Sequence, residues 1–265
     1  MKSVYAHITS VHAETGNLGD LMGFHIADRI LGEGSYRKLG IRSKDLLPDG
    51  TVAIVGSLIA AVTHAPCRVI GGGLINGNRR DYGPEFSAEG VRGFLTQSIL
   101  GRDAGQVPRV IGDPGLLLSD IEPMPPVRSK QPLGFIIHAV DRPEFVSRYP
   151  EHDPHIIDNY ASRGQFVRQL SQYEMVASTS LHGCIFAHAY GIPVAPFVLT
   201  DKVFGGDFKF RDHYSSFGID IRRSVLEGDD DDEILDCIRD APQPAQEQVR
   251  SLKARQWDSL RAALL

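Results

Sequence analysis

Residues 178–194 place a histidine at the start of a predicted helix. Small polar residues follow the apolar-rich residues 173–177, and then come His182 and Gly183 and a helix-like run that ends at Gly191. This order predicts a strand end, a tight turn and a helix N-terminus. Free backbone N–H groups and the helix dipole make such a place an anion site, and the histidine adds a donor or a proton. The alternative is a core turn with a capping serine and a buried histidine.

Polar and glycine residues at other predicted strand ends are further candidates. Asn17 and Asp20 lie in the first predicted strand–helix connection, where they either face a ligand or cap the following helix. Gly72 and Gly73 follow a strand and would let a ligand touch the backbone, although no Gly-Lys-Ser/Thr follows as in a Walker loop. Asp113 and His138 also end predicted strands.

Lys209 and Arg211 alternate with aromatic residues in a segment that reads Lys-Phe-Arg-Asp-His-Tyr and ends at Tyr214. Their charges could close over an anionic ligand, and the alternative is a solvated edge strand. His152, Asp153, His155 and Asp158 are clustered, but Pro150 and Pro154 break the helical spacing of a zinc pair. We therefore expect no metal site.

The order of elements predicts an α/β protein of two halves. Strands are expected at residues 4–9, 51–55, 68–70, 109–111, 134–138, 175–178 and 194–197. Helical or turn segments are expected at 18–31, 58–62 and 83–100, and helices at 163–173 and 184–190. Such alternation indicates parallel sheets with crossover helices. Four prolines between residues 122 and 132 favour an extended linker, so we place a boundary at residue 127 and predict domains 1–127 and 128–265.

Two segments near the C-terminus read as helices. The acidic run at residues 229–233 fits a helix N-terminus better than a metal site. Residues 244–265 carry apolar side chains at near-helical spacing and predict an amphipathic helix packed on the body. Its charges are mostly Arg and Lys, which leaves contact with a membrane surface open as an alternative.

Composition excludes several classes of function. The 265 residues carry a net charge of −5, which gives no general attraction for nucleic acid. No apolar run approaches a membrane span, the N-terminal residues do not resemble a signal peptide, and three scattered cysteines fit a reducing compartment. We therefore expect a cytoplasmic protein whose anionic ligands are held by a local cationic pocket.

Six short sequence blocks lie at residues 16–20, 71–76, 91–93, 112–117, 178–183 and 209–214. These blocks resemble motifs of the polysaccharide pyruvyl transferase family and follow one another in the same order as in that family. The fifth reads Ser-Thr-Ser-Leu-His-Gly, where the commoner family form is Ser-x-Arg-Leu-His-Gly, and it is closest to the xanthan-type ketal pyruvate transferases. The resemblance implies two Rossmann-like domains facing a cleft (GT-B-like). It also implies transfer of a pyruvyl group from phosphoenolpyruvate to a sugar of an exopolysaccharide, capsule or lipid-linked repeat unit, with a ketal as product and no cofactor.

The resemblance also assigns roles to residues. The catalytic candidates are His182, Asp20 and Arg92, with Asp20 acting on an acceptor hydroxyl and Arg92 holding the donor where Ser180 replaces the usual arginine. The substrate-binding candidates are Asn17, Gly72, Gly73, Asp113, His138, Ser180, Gly183, Lys209, Arg211 and Tyr214. In this interpretation the first domain faces the acceptor, and the second holds the donor at a helix N-terminus.

Two other functions stay open at this stage. A GT-B-type glycosyltransferase that uses a nucleotide sugar would need the same cleft and phosphate-binding helix. A non-catalytic protein that binds a polysaccharide or a partner is the third interpretation, and the serine in place of the motif arginine keeps it open.

Overall fold

The computed structural model describes residues 1–6, 16–41, 47–225 and 231–265. These residues form a mixed α/β structure with two parallel sheets, which confirms the predicted class. The predicted strand at residues 4–9 and the acidic run at 229–233 lie partly outside the described residues. Within the described ranges, no helix combines the length and apolar character needed to cross a membrane.

The first sheet has six strands in the order β2-β1-β3-β4-β5-β6. Its strands are β1 (Ser3–Tyr5), β2 (Arg37–Leu39), β3 (Thr51–Ala53), β4 (Cys67–Gly72), β5 (Ser87–Val91) and β6 (Val110–Ile111). The helices of this half are α1 (Leu18–Leu31), α2 (Phe94–Ala104) and α3 (Leu118–Ile121), with 3₁₀ turns at Ile59–Ala61 and Pro114–Leu117. The strand order reverses between β1 and β3, and such a switch point is where open α/β sheets bind ligands.

The second sheet has four strands in the order β10-β9-β8-β7. They are β7 (Gln131–Ile136), β8 (Tyr173–Ser178), β9 (Val194–Val198) and β10 (Ser224–Val225). The helices are α4 (Arg142–Arg148), α5 (Arg163–Leu170), α6 (Leu181–Tyr190), α7 (Phe208–Ser215), α8 (Asp231–Asp240) and α9 (Gln246–Leu264), with a 3₁₀ segment at Pro150–His155.

Alternating side chains give each sheet two apolar faces. In the first sheet, Val52 and Ile54 point to one core and Ala53 to another. In the second sheet, Ile136 joins the same core as Val52, whereas Phe135 faces a separate core under α8. One hydrophobic core is therefore shared by the two sheets, which joins the halves through the helices between them.

The C-terminal helix α9 packs back on the first half. Lys2 Nζ donates to the carbonyl oxygen of Ala263 at 3.0 Å, and Trp257 Nε1 donates to Asp120 Oδ2 at 2.9 Å. Lys253 Nζ donates to Ser119 Oγ at 2.8 Å. These contacts confirm the prediction of an amphipathic helix packed on the body, because Leu252 and Leu260 on its inner face are buried. The boundary at residue 127 stays a prediction.

Two local predictions were wrong. Residues 83–100 were predicted as a helical or turn segment, but they include the strand β5 between β4 and β6, and α2 begins only at Phe94. A side chain at Gly90 would crowd Val110 and the backbone of Gly71, so a glycine there permits close strand pairing. The edge-strand alternative for Lys209 and Arg211 was also wrong, since both lie on α7.

Candidate active site

A pocket of about 480 Å³ lies where strands of both sheets end. Its wall comes from segments that follow β1, β3 and β4 of the first sheet and β7, β8 and β9 of the second. The side chains around it are those of Asn17, Asp20, Ser57, Ala60, Ala61, Ile75, His138, Ser180, Leu181, His182, Phe204 and Lys209. Both the location at the carboxyl ends of parallel strands and the volume are typical of small-molecule sites.

The N-terminus of α6 opens into this pocket. Ser180 is the N-cap residue, but its side chain caps none of the helix amides, and Ser180, Leu181 and His182 all line the pocket. The backbone N–H of Ser180 is held by Ser178 Oγ at 3.0 Å. The amides of the first turn have no acceptor within their own helix, so they are available to an anion, together with the positive end of the helix dipole.

The imidazole of His182 lies between two helix N-termini. It is 8% exposed and stacks on Phe186 with ring centroids 5.7 Å apart. Its Nδ1 side faces Gly19 in the first turn of α1, where any Cβ would overlap the ring. Among the described residues Nε2 has no hydrogen-bond partner. Burial, helped by the positive charges of Arg92 and Lys209, lowers the pKa of His182 to about 3, so the ring is neutral at pH 7.

Asp20 and Lys209 form the charged part of the pocket. Burial raises the pKa of Asp20 to about 7, and the nearby charge of Lys209 opposes that rise. Lys209 is 7% exposed, and it forms no ion pair within the part of the chain that the structure describes. Burial and the charges of Arg92 and Arg223 lower the pKa of Lys209 to about 8. The pocket therefore holds a lysine ammonium that forms no salt bridge with the described residues and a carboxyl group whose pKa lies near neutral pH.

His138 and Asn17 complete the polar side of the pocket. The backbone N–H of Val140 donates to His138 Nδ1 at 3.3 Å, which leaves the proton of the neutral ring on Nε2. Burial lowers the pKa of His138, and the charge of Lys209 adds to this effect. Asn17 Oδ1 accepts from the N–H of Gly19 at 3.1 Å, so Asn17 both caps α1 and lines the pocket.

Arg92 does not line the pocket and is not available to grip a ligand. Its guanidinium is fully buried and donates to Asp212 Oδ2 at 2.9 Å, to Ser57 Oγ at 2.9 Å and to the carbonyl oxygen of Leu74 at 2.5 Å. A Cβ at Gly73 would overlap this guanidinium, so Gly73 packs on Arg92. Arg92 therefore supports Ser57 of the pocket wall from behind, and its catalytic role stays a prediction.

The remaining substrate-binding candidates also lie outside the pocket. Arg211 is exposed and pairs with Asp220 at 3.1 Å, because α7 turns it away from Lys209. Tyr214 is buried edge-on against His188. Asp113 Oδ1 accepts from the N–H of Gly115 at 2.8 Å, and burial raises its pKa to about 6.

Gly72 and Gly183 allow close packing around the pocket. A Cβ at Gly72 would lie 3.0 Å from Val69 Cγ1, and one at Gly183 would overlap Ser178 Oγ. Gly183 thus lets α6 approach the end of β8. Neither residue lines the pocket.

Sequence reasoning missed several uncharged lining residues. Ser57, Ala60 and Ala61 follow β3, Ile75 follows β4, and Phe204 lies in the loop after β9. Their positions after strand ends were the available clue. Among the described residues, no group of three or more His, Cys, Asp or Glu side chains is placed to hold a metal ion.

The comparisons with known proteins concern the middle of the chain. Residues 84–200 match the family model for polysaccharide pyruvyl transferase. An uncharacterized protein of Acanthamoeba polyphaga mimivirus is 34% identical over 122 residues, which cover 42% of this chain and 40% of that protein. The match thus spans well under two thirds of the length of that curated relative. No solved structure matches the chain. The segment that matches the polysaccharide pyruvyl transferase model includes His138, Ser180 and His182 of the pocket.

Proposed function

We propose that this protein transfers the pyruvyl group of phosphoenolpyruvate to a saccharide of a surface polysaccharide or a lipid-linked repeat unit and forms a pyruvate ketal. The observation that carries the proposal is the meeting of the α6 N-terminus, which Ser180 does not cap, the neutral ring of His182 and the buried ammonium of Lys209 in one pocket. Two of these features belong to the segment that matches the family model.

The two anionic groups of the donor require a site with positive charge and hydrogen-bond donors. Phosphoenolpyruvate carries a phosphate and a carboxylate, and both need donors with positive charge or a helix N-terminus. Lys209 supplies the charge that the family obtains from the arginine at the position of Ser180, and the amides of α6 and the imidazole of His182 supply hydrogen bonds. Serine at position 180 and the Lys-Phe-Arg-Asp-His-Tyr segment also favour the xanthan-type subgroup.

Ketal formation needs a proton at the methylene carbon and a base for two hydroxyls. Asp20 in its acid form donates the proton to that carbon, which leaves an oxocarbenium-like centre stabilised by the carboxylate of the donor. The first hydroxyl adds to this centre and returns its proton to Asp20. The carbon–oxygen bond to phosphate then breaks, the second hydroxyl adds, and its proton leaves with the phosphate. A carboxyl group with a pKa of about 7 suits both transfers.

The arrangement of the pocket gives each half of the chain a part in the reaction. The donor groups come from α6 and α7 of the second half, and Asp20 comes from α1 of the first half. This division supports the GT-B-like interpretation, with the acceptor on the side of the first half. A lipid-linked acceptor would place the reaction at the cytoplasmic face of a membrane.

Phosphate release from phosphoenolpyruvate tests the proposal. Purified protein is assayed with and without an extract of lipid-linked oligosaccharides, and the product is analysed by mass spectrometry for a gain of pyruvate in ketal linkage. Acceptor-dependent release is expected from the wild type and is lost in Lys209→Met, whereas Arg211→Ala, which changes an exposed cation on the same helix, retains it. Absence of both phosphate release and donor-induced thermal stabilisation overturns the proposal, and stabilisation by a nucleotide sugar instead indicates a glycosyltransferase.

A further inference from the structure

Phe204 is an exposed aromatic residue at the mouth of the candidate active site. Its side chain is 71% exposed, and it nevertheless lines the pocket. Phe94 and Tyr160 are 47% and 42% exposed, and neither of them lines it. Single exposed apolar side chains are common and need no explanation on their own. Phe204 does need an explanation, because its exposed ring lies at a pocket that also holds charged and hydrogen-bonding groups.

The loop that carries Phe204 is held at both ends. Near its start, Thr200 Oγ1 donates to Asp141 and accepts from the N–H of Lys202 at 3.1 Å. After it, Arg223 pairs with Asp207 at 2.5 Å. These contacts fix the loop on the body of the second half.

Gly205 brings Phe204 against the first half. Its φ of +92° is in the region that favours glycine, and a Cβ there would overlap the carbonyl oxygen of Ile75. The loop therefore lies directly on the segment that follows β4. Phe204 and Ile75, which both line the pocket, come from neighbouring segments of different halves.

Four of the side chains that line the pocket are apolar, namely those of Ala60, Ala61, Ile75 and Phe204. Of these, Ile75 and Phe204 come from the two segments that contact each other. An anionic donor gains no binding energy from these apolar side chains, because its phosphate and carboxylate need the polar groups around Lys209 and His182. A pyranose ring, in contrast, has an apolar face of C–H groups that packs on an aromatic ring and a rim of hydroxyls that takes hydrogen bonds.

We propose that Phe204, together with Ile75, binds the ring of the acceptor sugar and orients its hydroxyls toward Asp20. The inference rests on the proposed function for the identity of the reaction, but it assigns a separate saccharide subsite. Phe204 thereby determines affinity for the acceptor and leaves affinity for the donor unchanged.

The test compares Phe204→Ala with the conservative Phe204→Tyr and the control Phe94→Ala, which truncates an exposed phenylalanine outside the pocket. In steady-state phosphate release, Phe204→Ala is expected to raise the acceptor KM about tenfold and to leave the KM for phosphoenolpyruvate unchanged. Phe204→Tyr restores most of the acceptor affinity, and Phe94→Ala behaves as the wild type. An unchanged acceptor KM in Phe204→Ala overturns the inference.

A binding measurement separates this inference from the proposed reaction. Saturation-transfer NMR with a panel of methyl pyranosides, without donor, is expected to show contact with the wild type and with Phe204→Tyr but loss of contact in Phe204→Ala. If the wild type releases no phosphate but shows this pattern, the pyruvyl transfer fails and the saccharide subsite stands. If Phe204→Ala retains the contact, the subsite is wrong whatever the reaction.

Discussion

The carboxylate of Asp212 joins Arg92 to the first turn of α2 in a site that is fully buried. Oδ2 pairs with Arg92 Nε at 2.9 Å and accepts from Thr96 Oγ1 at 2.7 Å, and Oδ1 accepts from the N–H of Thr96 at 2.8 Å. Asp212 lies three residues after Lys209 on α7, and Arg92 holds Ser57. One ion pair between the two halves thus supports two residues of the pocket wall.

Removal of one partner of this pair is expected to destabilise the fold strongly. Asp212→Ala leaves the guanidinium of Arg92 buried without a counter-charge and removes two hydrogen bonds of Thr96, so we expect the free energy of unfolding to fall by about 3–5 kcal/mol. Urea denaturation followed by circular dichroism measures this change. The control is Asp220→Ala, which breaks the exposed pair with Arg211 and should leave stability nearly unchanged. Similar stability of the two variants would contradict the structural role of the buried pair.

Replacement of Lys209 is expected to abolish donor binding without lowering the stability of the fold. Its ammonium is buried without an ion pair among the described residues, so replacement by the apolar Met removes a desolvated charge. We expect Lys209→Met to melt at the same temperature as the wild type or higher, and to lose the thermal stabilisation by phosphoenolpyruvate. Differential scanning fluorimetry with and without the donor measures both quantities. Retained stabilisation by the donor would remove Lys209 from the donor site.

The sequence predicted the elements of the pocket better than their contacts. The order of strand, turn and helix placed His182 at a helix N-terminus, and Asp20 and His138 at strand ends of different halves. Within each sheet the carboxyl ends of the parallel strands lie at one edge, and these residues meet because the edges of both sheets border the pocket. The contact of Gly19 with His182 joins residues that are far apart in the chain, so no local sequence pattern predicts it.

Two features of the site depend on packing that the sequence does not display. An arginine after a strand is usually exposed, and the burial of Arg92 follows only from the place of Asp212 on a helix 120 residues later. The lysine and arginine of α7 looked equivalent in sequence. The helix directs Lys209 into the pocket and Arg211 to solvent, a distinction that a strand prediction cannot make.

The pH dependence of the reaction follows from the two charged groups of the pocket. If Asp20 must be protonated to give its proton to the methylene carbon and Lys209 must be protonated to hold the donor, kcat/KM falls through about pH 7 and falls more steeply above about pH 8. No decrease is expected on the acid side from these two groups. Lys209→Arg, whose guanidinium stays charged, is expected to remove the second, steeper fall, and an unchanged steep fall would assign it to another group.

Stability should respond to pH at Asp20 in a defined direction. Its folded pKa of about 7 lies above the ordinary value of 3.8, so the folded protein binds more protons than the unfolded chain between these values. The contribution of Asp20 to stability therefore falls as pH rises from about 4 to about 7. Relative to the wild type, Asp20→Asn should gain stability over this interval, as measured by urea denaturation at a series of pH values. A constant difference would show that the carboxyl is not shifted.

Two glycines of α1 offer a matched test of the contact with His182. Alanine is the better helix former, so Gly23→Ala, whose Cβ would lie 3.6 Å from Ile54 Cβ, is expected to stabilise the protein by roughly 0.5–1 kcal/mol and to keep activity. Gly19→Ala brings a methyl group into the ring of His182 and must displace it. We expect phosphate release by Gly19→Ala to fall to the level of His182→Ala while the circular dichroism spectrum stays native. Full activity in Gly19→Ala would mean that the position of this imidazole does not matter to the reaction.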